Sequence, residues 1–199
     1  MDRRSCLVPI FLALGCVPVL ETPEGAPGGP WEAPENGWPL QEPPEGLVGE
    51  GFHPGQTIPD FRLLDQHGDE VSLWQFYGQV VALDISAMWC RPCQALAEDT
   101  EATWQAWRED DFMYVTVLTE DQAGGPPGEA ELLAWAETFD ITAPIVADPD
   151  KGYSQAAITA NIYPVVLVID RDLQVLERLA QPTDDNLHAA LEGVLGPPG

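Results

Sequence analysis

Val80-Val81-Ala82-Leu83-Asp84-Ile85-Ser86-Ala87-Met88-Trp89-Cys90-Arg91-Pro92-Cys93 decides both the fold and the chemistry. Val80 to Ser86 is an apolar run that predicts a buried strand, and Arg91 to Trp107 places apolar residues at helical spacing. Cys90 therefore falls where a strand ends and a helix begins. A sulfur there faces unpaired backbone N–H groups and the positive end of a helix dipole, and both favour the thiolate. In such C-x-x-C sites the thiol pKa falls to roughly 3.5–7.5, and the thiolate is the attacking species in disulfide exchange. Pro92 suits the first helical turn, where a missing N–H costs little. Cys93 is within reach of a short disulfide, and Arg91 adds a positive charge beside the pair. The pair reads as a redox-active dithiol. A zinc site needs four ligands, and His53, His67 and His188 have no ligand spacing to one another. A static structural disulfide competes with the redox reading.

Outward from this stretch, strands and helices alternate. Phe61 to Leu64 and Glu70 to Leu73 flank Asp65-Gln66-His67-Gly68-Asp69 and read as a hairpin. Phe112 to Leu118 is a second buried strand, Glu129 to Phe139 a helix, Pro144 to Ala147 a short strand and Tyr153 to Thr159 a short helix. Pro164 to Ile169 and Leu173 to Leu179 form a further hairpin around Asp170-Arg171-Asp172. Asp184 to Leu195 closes as a helix, with Thr183 or Asp184 as N-cap. The order implies an α/β sandwich with a mixed central sheet.

The Trp89-Cys90-Arg91-Pro92-Cys93 core and its strand resemble the active-site strand and loop of thioredoxin-fold proteins. Gly55-Gln56-Thr57-Ile58-Pro59-Asp60-Phe61 resembles the opening of the TlpA-like, redoxin (AhpC-TSA-like) branch. The resemblance covers about 140 residues. It implies a thioredoxin-like three-layer α/β sandwich with an added N-terminal β-hairpin. It also implies a thiol–disulfide oxidoreductase with no cofactor beyond the Cys90–Cys93 couple and no metal. Its partners would be protein thiols and disulfides and a membrane or periplasmic redox protein, with reduction as the favoured direction over oxidation.

Three more positions carry over by resemblance. Asp84 matches a buried Asp beneath the dithiol; a carboxylate in an apolar strand should have a raised pKa and could take the Cys93 proton. Pro164, after Ile162-Tyr163, matches the cis-proline opposite the dithiol, leaving the Tyr163 backbone free to pair with an extended substrate. Trp89 reads as part of the rim around Cys90, and Tyr163 as a residue that narrows access or supplies a stacking surface. Two positions depart from the TlpA-like pattern: Leu96 stands where a Glu is frequent, and Ser86 where an aromatic is frequent. Both weaken a cytochrome-maturation role. A peroxidase is disfavoured because Ala87 stands where its loop has Thr. Copper delivery and a non-catalytic binding module also compete with the oxidoreductase reading.

The 199 residues suit one domain with extra length, and 33 acidic against 8 basic side chains give a net charge of −25. Such a charge argues against binding nucleic acid or anionic lipid surfaces. Met1-Asp2-Arg3-Arg4 followed by the apolar Leu7 to Leu14 reads as a signal peptide over 1–15, too short to span a bilayer. Leu12-Ala13-Leu14-Gly15-Cys16 resembles a bacterial lipobox, with Ala13 where Leu is usual. The resemblance implies lipid attachment at Cys16 and a lipoprotein on the periplasmic side of a membrane. A plain secretory signal would instead give a soluble periplasmic protein. Residues 16–55, rich in Pro, Gly and Glu, read as a disordered acidic tether, with Trp31, Trp38 and Phe52 as unexplained aromatics that could pack on the domain. The thioredoxin-like domain is expected over 56–199.

Overall fold

The computed structural model describes residues 31–160 and 162–198. The signal peptide, Cys16 and the first part of the expected tether lie outside the described residues. A five-stranded sheet has the order β5–β4–β3–β6–β7, from Ile145–Ala147 (β5), Phe112–Leu118 (β4), Val80–Ser86 (β3), Val165–Ile169 (β6) and Val175–Ala180 (β7). β3 pairs parallel with β4 and antiparallel with β6, so the sheet is mixed. β3 and β4 are buried along their full length, which is why both read as continuous apolar runs rather than alternating ones.

Alternation sorts the two faces. Val80, Ala82 and Asp84 point to one face, with Phe112, Tyr114 and Leu118 of β4 and Val166 and Val168 of β6. Three helices cover it: Arg91–Trp107 (α1), Glu129–Phe139 (α2) and Asp184–Leu195 (α4). Trp107 near the end of α1 is fully buried, and its indole N–H donates to the Gly196 carbonyl at 3.0 Å, tying α1 to the end of α4. Val81, Leu83 and Ile85 point to the other face. There they meet the short helix Gly152–Ala157 (α3) and the hairpin Arg62–Leu64 (β1) and Glu70–Ser72 (β2) with its flanks. The fold is the thioredoxin-like three-layer arrangement with the added N-terminal hairpin.

The hairpin turn is built on Asp65, whose Oδ1 accepts from the His67 and Asp69 amides at 2.8 and 3.0 Å, while Gly68 takes the left-handed conformation (φ 79°). Gln66 then docks the hairpin on the edge strand β5: its side-chain amide bonds Ala143 O and Ile145 N at 3.1 and 2.9 Å. That covers an edge that would otherwise be open to pairing. In the second hairpin the expected strand start at Leu173 is not observed. Leu173 is fully buried in a left-handed turn (φ 63°), where Asp170 Oδ1 accepts from the Asp172 and Gln174 amides, and β7 begins at Val175.

Residues 31–55, expected as the outer part of a disordered tether, instead lie along the hairpin side of the domain. Trp31 Nε1 donates to Ser72 Oγ at 3.0 Å, and Trp38 Nε1 to Asp65 Oδ2 at 2.6 Å. Asn36 and Gln75 exchange side-chain amide bonds, and Phe52 packs edge-on against Tyr153. Composition argued for disorder, but a few aromatic anchors and amide pairs suffice when the partner surface is already folded. Trp38→Ala should lower the unfolding free energy of the full chain by about 2 kcal/mol, from lost apolar burial and the lost indole hydrogen bond. Urea titration checks this, and an unchanged midpoint would show that the strap adds nothing to the fold.

Candidate active site

β3 ends at Ser86, and Ala87 to Trp89 turn the chain into α1. Cys90 is the N-cap of α1: its backbone is extended, and its sulfur accepts from the Cys93 backbone N–H at 3.3 Å. Pro92 stands in the first helical turn, as the missing N–H allows. Cys90 and Cys93 are joined in a disulfide, with Cα atoms 5.2 Å apart. Cys93 is fully buried and Cys90 is 4% exposed, so only Cys90 can meet an incoming sulfur.

Access is through a groove of about 200 Å³ lined by Trp89, Cys90, Arg91, Pro92, Ile162, Tyr163 and Gln181. Its walls come from three places: the β3–α1 turn, the loop before β6 and the end of β7. The Tyr163–Pro164 bond is cis. Trp89, 46% exposed, meets the Tyr163 ring edge-to-face with centroids 6.1 Å apart. Through its hydroxyl Tyr163 accepts from Thr119 Oγ1 at 3.3 Å. Its backbone is less free than expected, because its carbonyl accepts from the Gln181 side-chain amide at 3.2 Å.

Asp84 lies on the sheet face that α1 covers, between Thr116 of β4 and Val166 of β6. Burial pushes its carboxyl up from 3.8 to about 7, against the opposing effect of Ser86 Oγ, which donates to Asp84 Oδ1 at 2.7 Å. Ser86, singled out as a departure, therefore has a position beside the buried carboxylate. Tyr114, neighbour to Asp84 on the same face, is also buried, and burial pushes its phenol well above the ordinary range. Leu96, the other departure, is buried in the core under α1 rather than placed at the dithiol as a carboxylate.

The AhpC/TSA family model matches residues 54–178. The chain belongs to the AhpC/TSA family. It is 29% identical over 120 residues to the thioredoxin-like protein YneN of Bacillus subtilis, covering 60% of this chain and 67% of that one. Many solved structures share the fold, and two serve as examples. One is the thioredoxin domain of a thiol-disulfide oxidoreductase from Bacteroides vulgatus, with TM-score 0.61, 19% identity and coverage of 72% of this chain and 98% of that one. The other is a secreted Mycobacterium tuberculosis disulfide oxidoreductase homologous to E. coli DsbE, with TM-score 0.57, 14% identity and coverage of 67% and 96%.

Cys90, Cys93, Trp89, Arg91, Tyr163 and Pro164 come together at one end of the sheet, with Asp84 in the layer below. Sequence reading missed Gln181, Ile162 and Glu120. Gln181 follows β7 in a left-handed conformation (φ 49°), and no local motif marks it. Glu120 accepts the Trp89 indole N–H, a contact made 31 residues away along the chain.

The Asp84 shift sets a pH dependence of stability. The folded chain holds this proton more tightly than the unfolded chain, so the stability it contributes is full below about pH 4 and lost as the pH rises to about 7. Asp84→Asn should therefore be more stable than the parent chain at pH 8, with the gap shrinking toward pH 4. The full span corresponds to about 4 kcal/mol at most. Urea unfolding of both proteins across that range checks the sign, and a gap independent of pH would show that Asp84 is not a buried acid.

Proposed function

We propose that this chain is an exported thiol–disulfide oxidoreductase that reduces disulfides in protein substrates through Cys90 and Cys93. The observation that carries the reading is the disulfide at the N-terminus of α1, with Cys90 alone facing the groove and Cys93 buried behind it. In the reduced enzyme the Cys90 thiolate attacks one sulfur of a substrate disulfide. That S–S bond breaks, the departing sulfur leaves as a thiolate, and a mixed disulfide remains on Cys90. Cys93 gives its proton to the Asp84 carboxylate and attacks the Cys90 sulfur. The second substrate sulfur leaves as a thiolate, and the Cys90–Cys93 disulfide forms. Two electrons have passed to the substrate, and a dithiol partner must return them.

Asp84 suits the proton step because burial brings its pKa to about 7, near the working pH of such an exchange. Trp89 and Tyr163 form the apolar wall against which a substrate segment lies, and Arg91 stands exposed at the mouth. Export rests on the basic and apolar start of the chain, and lipid attachment at Cys16 on the lipobox-like Leu12 to Cys16. The secreted M. tuberculosis neighbour agrees with export. In this reading residues 1–15 are removed, the segment after Cys16 tethers the domain outside the membrane, and the redox partner is a membrane or periplasmic protein. Among the described residues no helix is long and apolar enough to cross a membrane. A peroxidase is disfavoured by Ala87, which brings no hydroxyl to the turn before Cys90.

Insulin reduction with dithiothreitol as electron source tests the activity. Cys90→Ser should abolish it, Cys93→Ser should accumulate mixed disulfides, and Asp84→Asn should slow turnover about 100-fold at pH 7. Peroxide consumption without insulin reduction would overturn the assignment. A reduction potential near that of thioredoxin, about −270 mV, supports the reducing direction, and one near about −120 mV reverses it. The mass of the membrane-extracted protein tests Cys16: an unmodified soluble chain removes the anchor.

A further inference from the structure

Trp89 is the most exposed aromatic side chain at the groove, yet its indole is tied on both sides. Its N–H donates to Glu120 Oε2, and the other carboxylate oxygen, Oε1, pairs with Lys151 Nζ. Its ring meets Tyr163 edge-on, and Tyr163 is itself fixed through its hydroxyl to Thr119, the residue before Glu120.

The two charged residues are anchored at their own backbones. Glu120 O accepts from the Met88 amide at 3.0 Å, so the loop after β4 is bound to the turn that carries Trp89. Lys151 caps α3 in a left-handed conformation (φ 56°), with its amide donating to Asp148 O at 3.1 Å. Asp148 is buried and accepts the Ser154 amide at 2.7 Å, which fixes the start of α3. Loops following β3, β4 and β5 thus converge on one indole. The Lys151 ammonium holds the Glu120 carboxyl below the usual carboxylate range, so it remains an acceptor at neutral pH.

A partly exposed ion pair adds little to folding stability. Its worth lies in ordering: a Trp, a Glu and a Lys left free would have to be immobilised when a substrate docks, and that loss subtracts from binding. We propose that Glu120 and Lys151 are positioning residues that hold the Trp89 indole as a preformed wall of the groove and thereby set the grip on an apolar side chain beside the substrate cysteine. The inference rests on the oxidoreductase reading for its substrate class, but the clasp itself can be measured without substrate.

The test uses the full chain labelled with ¹⁵N, with the Trp89 indole signal identified by its loss in Trp89→Phe. The probe is a disulfide-linked peptide dimer carrying Leu next to its cysteine. Glu120→Ala should lower the heteronuclear NOE of the Trp89 indole and raise KM for the peptide about fivefold, with kcat changed less than twofold. Glu120→Gln, which keeps an acceptor for the indole, should recover part of both effects. In a Trp89→Phe background, Glu120→Ala should add nothing further to KM. An indole that stays rigid in Glu120→Ala overturns the proposal, as does a KM increase that persists undiminished without the Trp89 N–H. Absence of peptide turnover in the parent chain would sink the oxidoreductase reading alone, and the indole signal would still decide the clasp.

Discussion

The meeting of β3 with the first turn of α1 is the constraint on which the site depends. β3 runs between β4 and β6 with every residue buried, so its carboxyl end has almost no freedom. α1 starts shortly after it and lies across the same sheet face through Leu96, Ala97 and Trp107. The helix axis, the direction of its unpaired amides and the place of Cys90 all follow from that packing. A thiolate at Cys90 needs those amides, and it receives them because the core has already fixed the helix, at no cost to be met when a substrate arrives.

The same packing makes Asp84 expensive. A carboxyl buried to this extent is stable as the neutral acid and is destabilising when ionised. Ser86, two residues on along the same face, moderates this by donating to the carboxylate. An apolar residue at 84 would give a simpler core. Keeping an acid there lowers stability in the neutral range, and in the mechanism proposed above that same burial brings the carboxyl to about 7, where it can take the Cys93 proton.

The dithiol, the order of elements and the burial of β3 and β4 were legible in the sequence because each is encoded locally: a C-x-x-C after an apolar run, breakers between periodic segments, a Pro at the right offset. Gln181, Glu120 and Lys151 were not, since each reaches the site from a loop whose own residues carry no signal for where that loop ends up. Residues 31–55 failed differently. Their Pro and Gly content says correctly that they cannot form a core, but it is silent on whether a folded neighbour offers Ser72, Gln75 and Asp65 as partners. Composition speaks to autonomous folding and leaves docking undetermined.

That docking has a consequence for how the domain meets other proteins. The segment runs over the hairpin, where Trp31 and Trp38 are held by β2 and by the turn of the β1–β2 hairpin, and over the α3 side through Phe52. The groove is lined instead by the β3–α1 turn, the loop before β6 and Gln181. Residues 31–55 therefore lie along surfaces that do not include the mouth at Cys90. A segment crossing the Trp89–Tyr163 wall would compete with every substrate at very high local concentration, and under the anchoring proposed at Cys16 the placement of residues 31–55 avoids this. Trp31, Trp38 and Phe52 thus do more than add burial: they hold residues 31–55 on surfaces that do not line the groove.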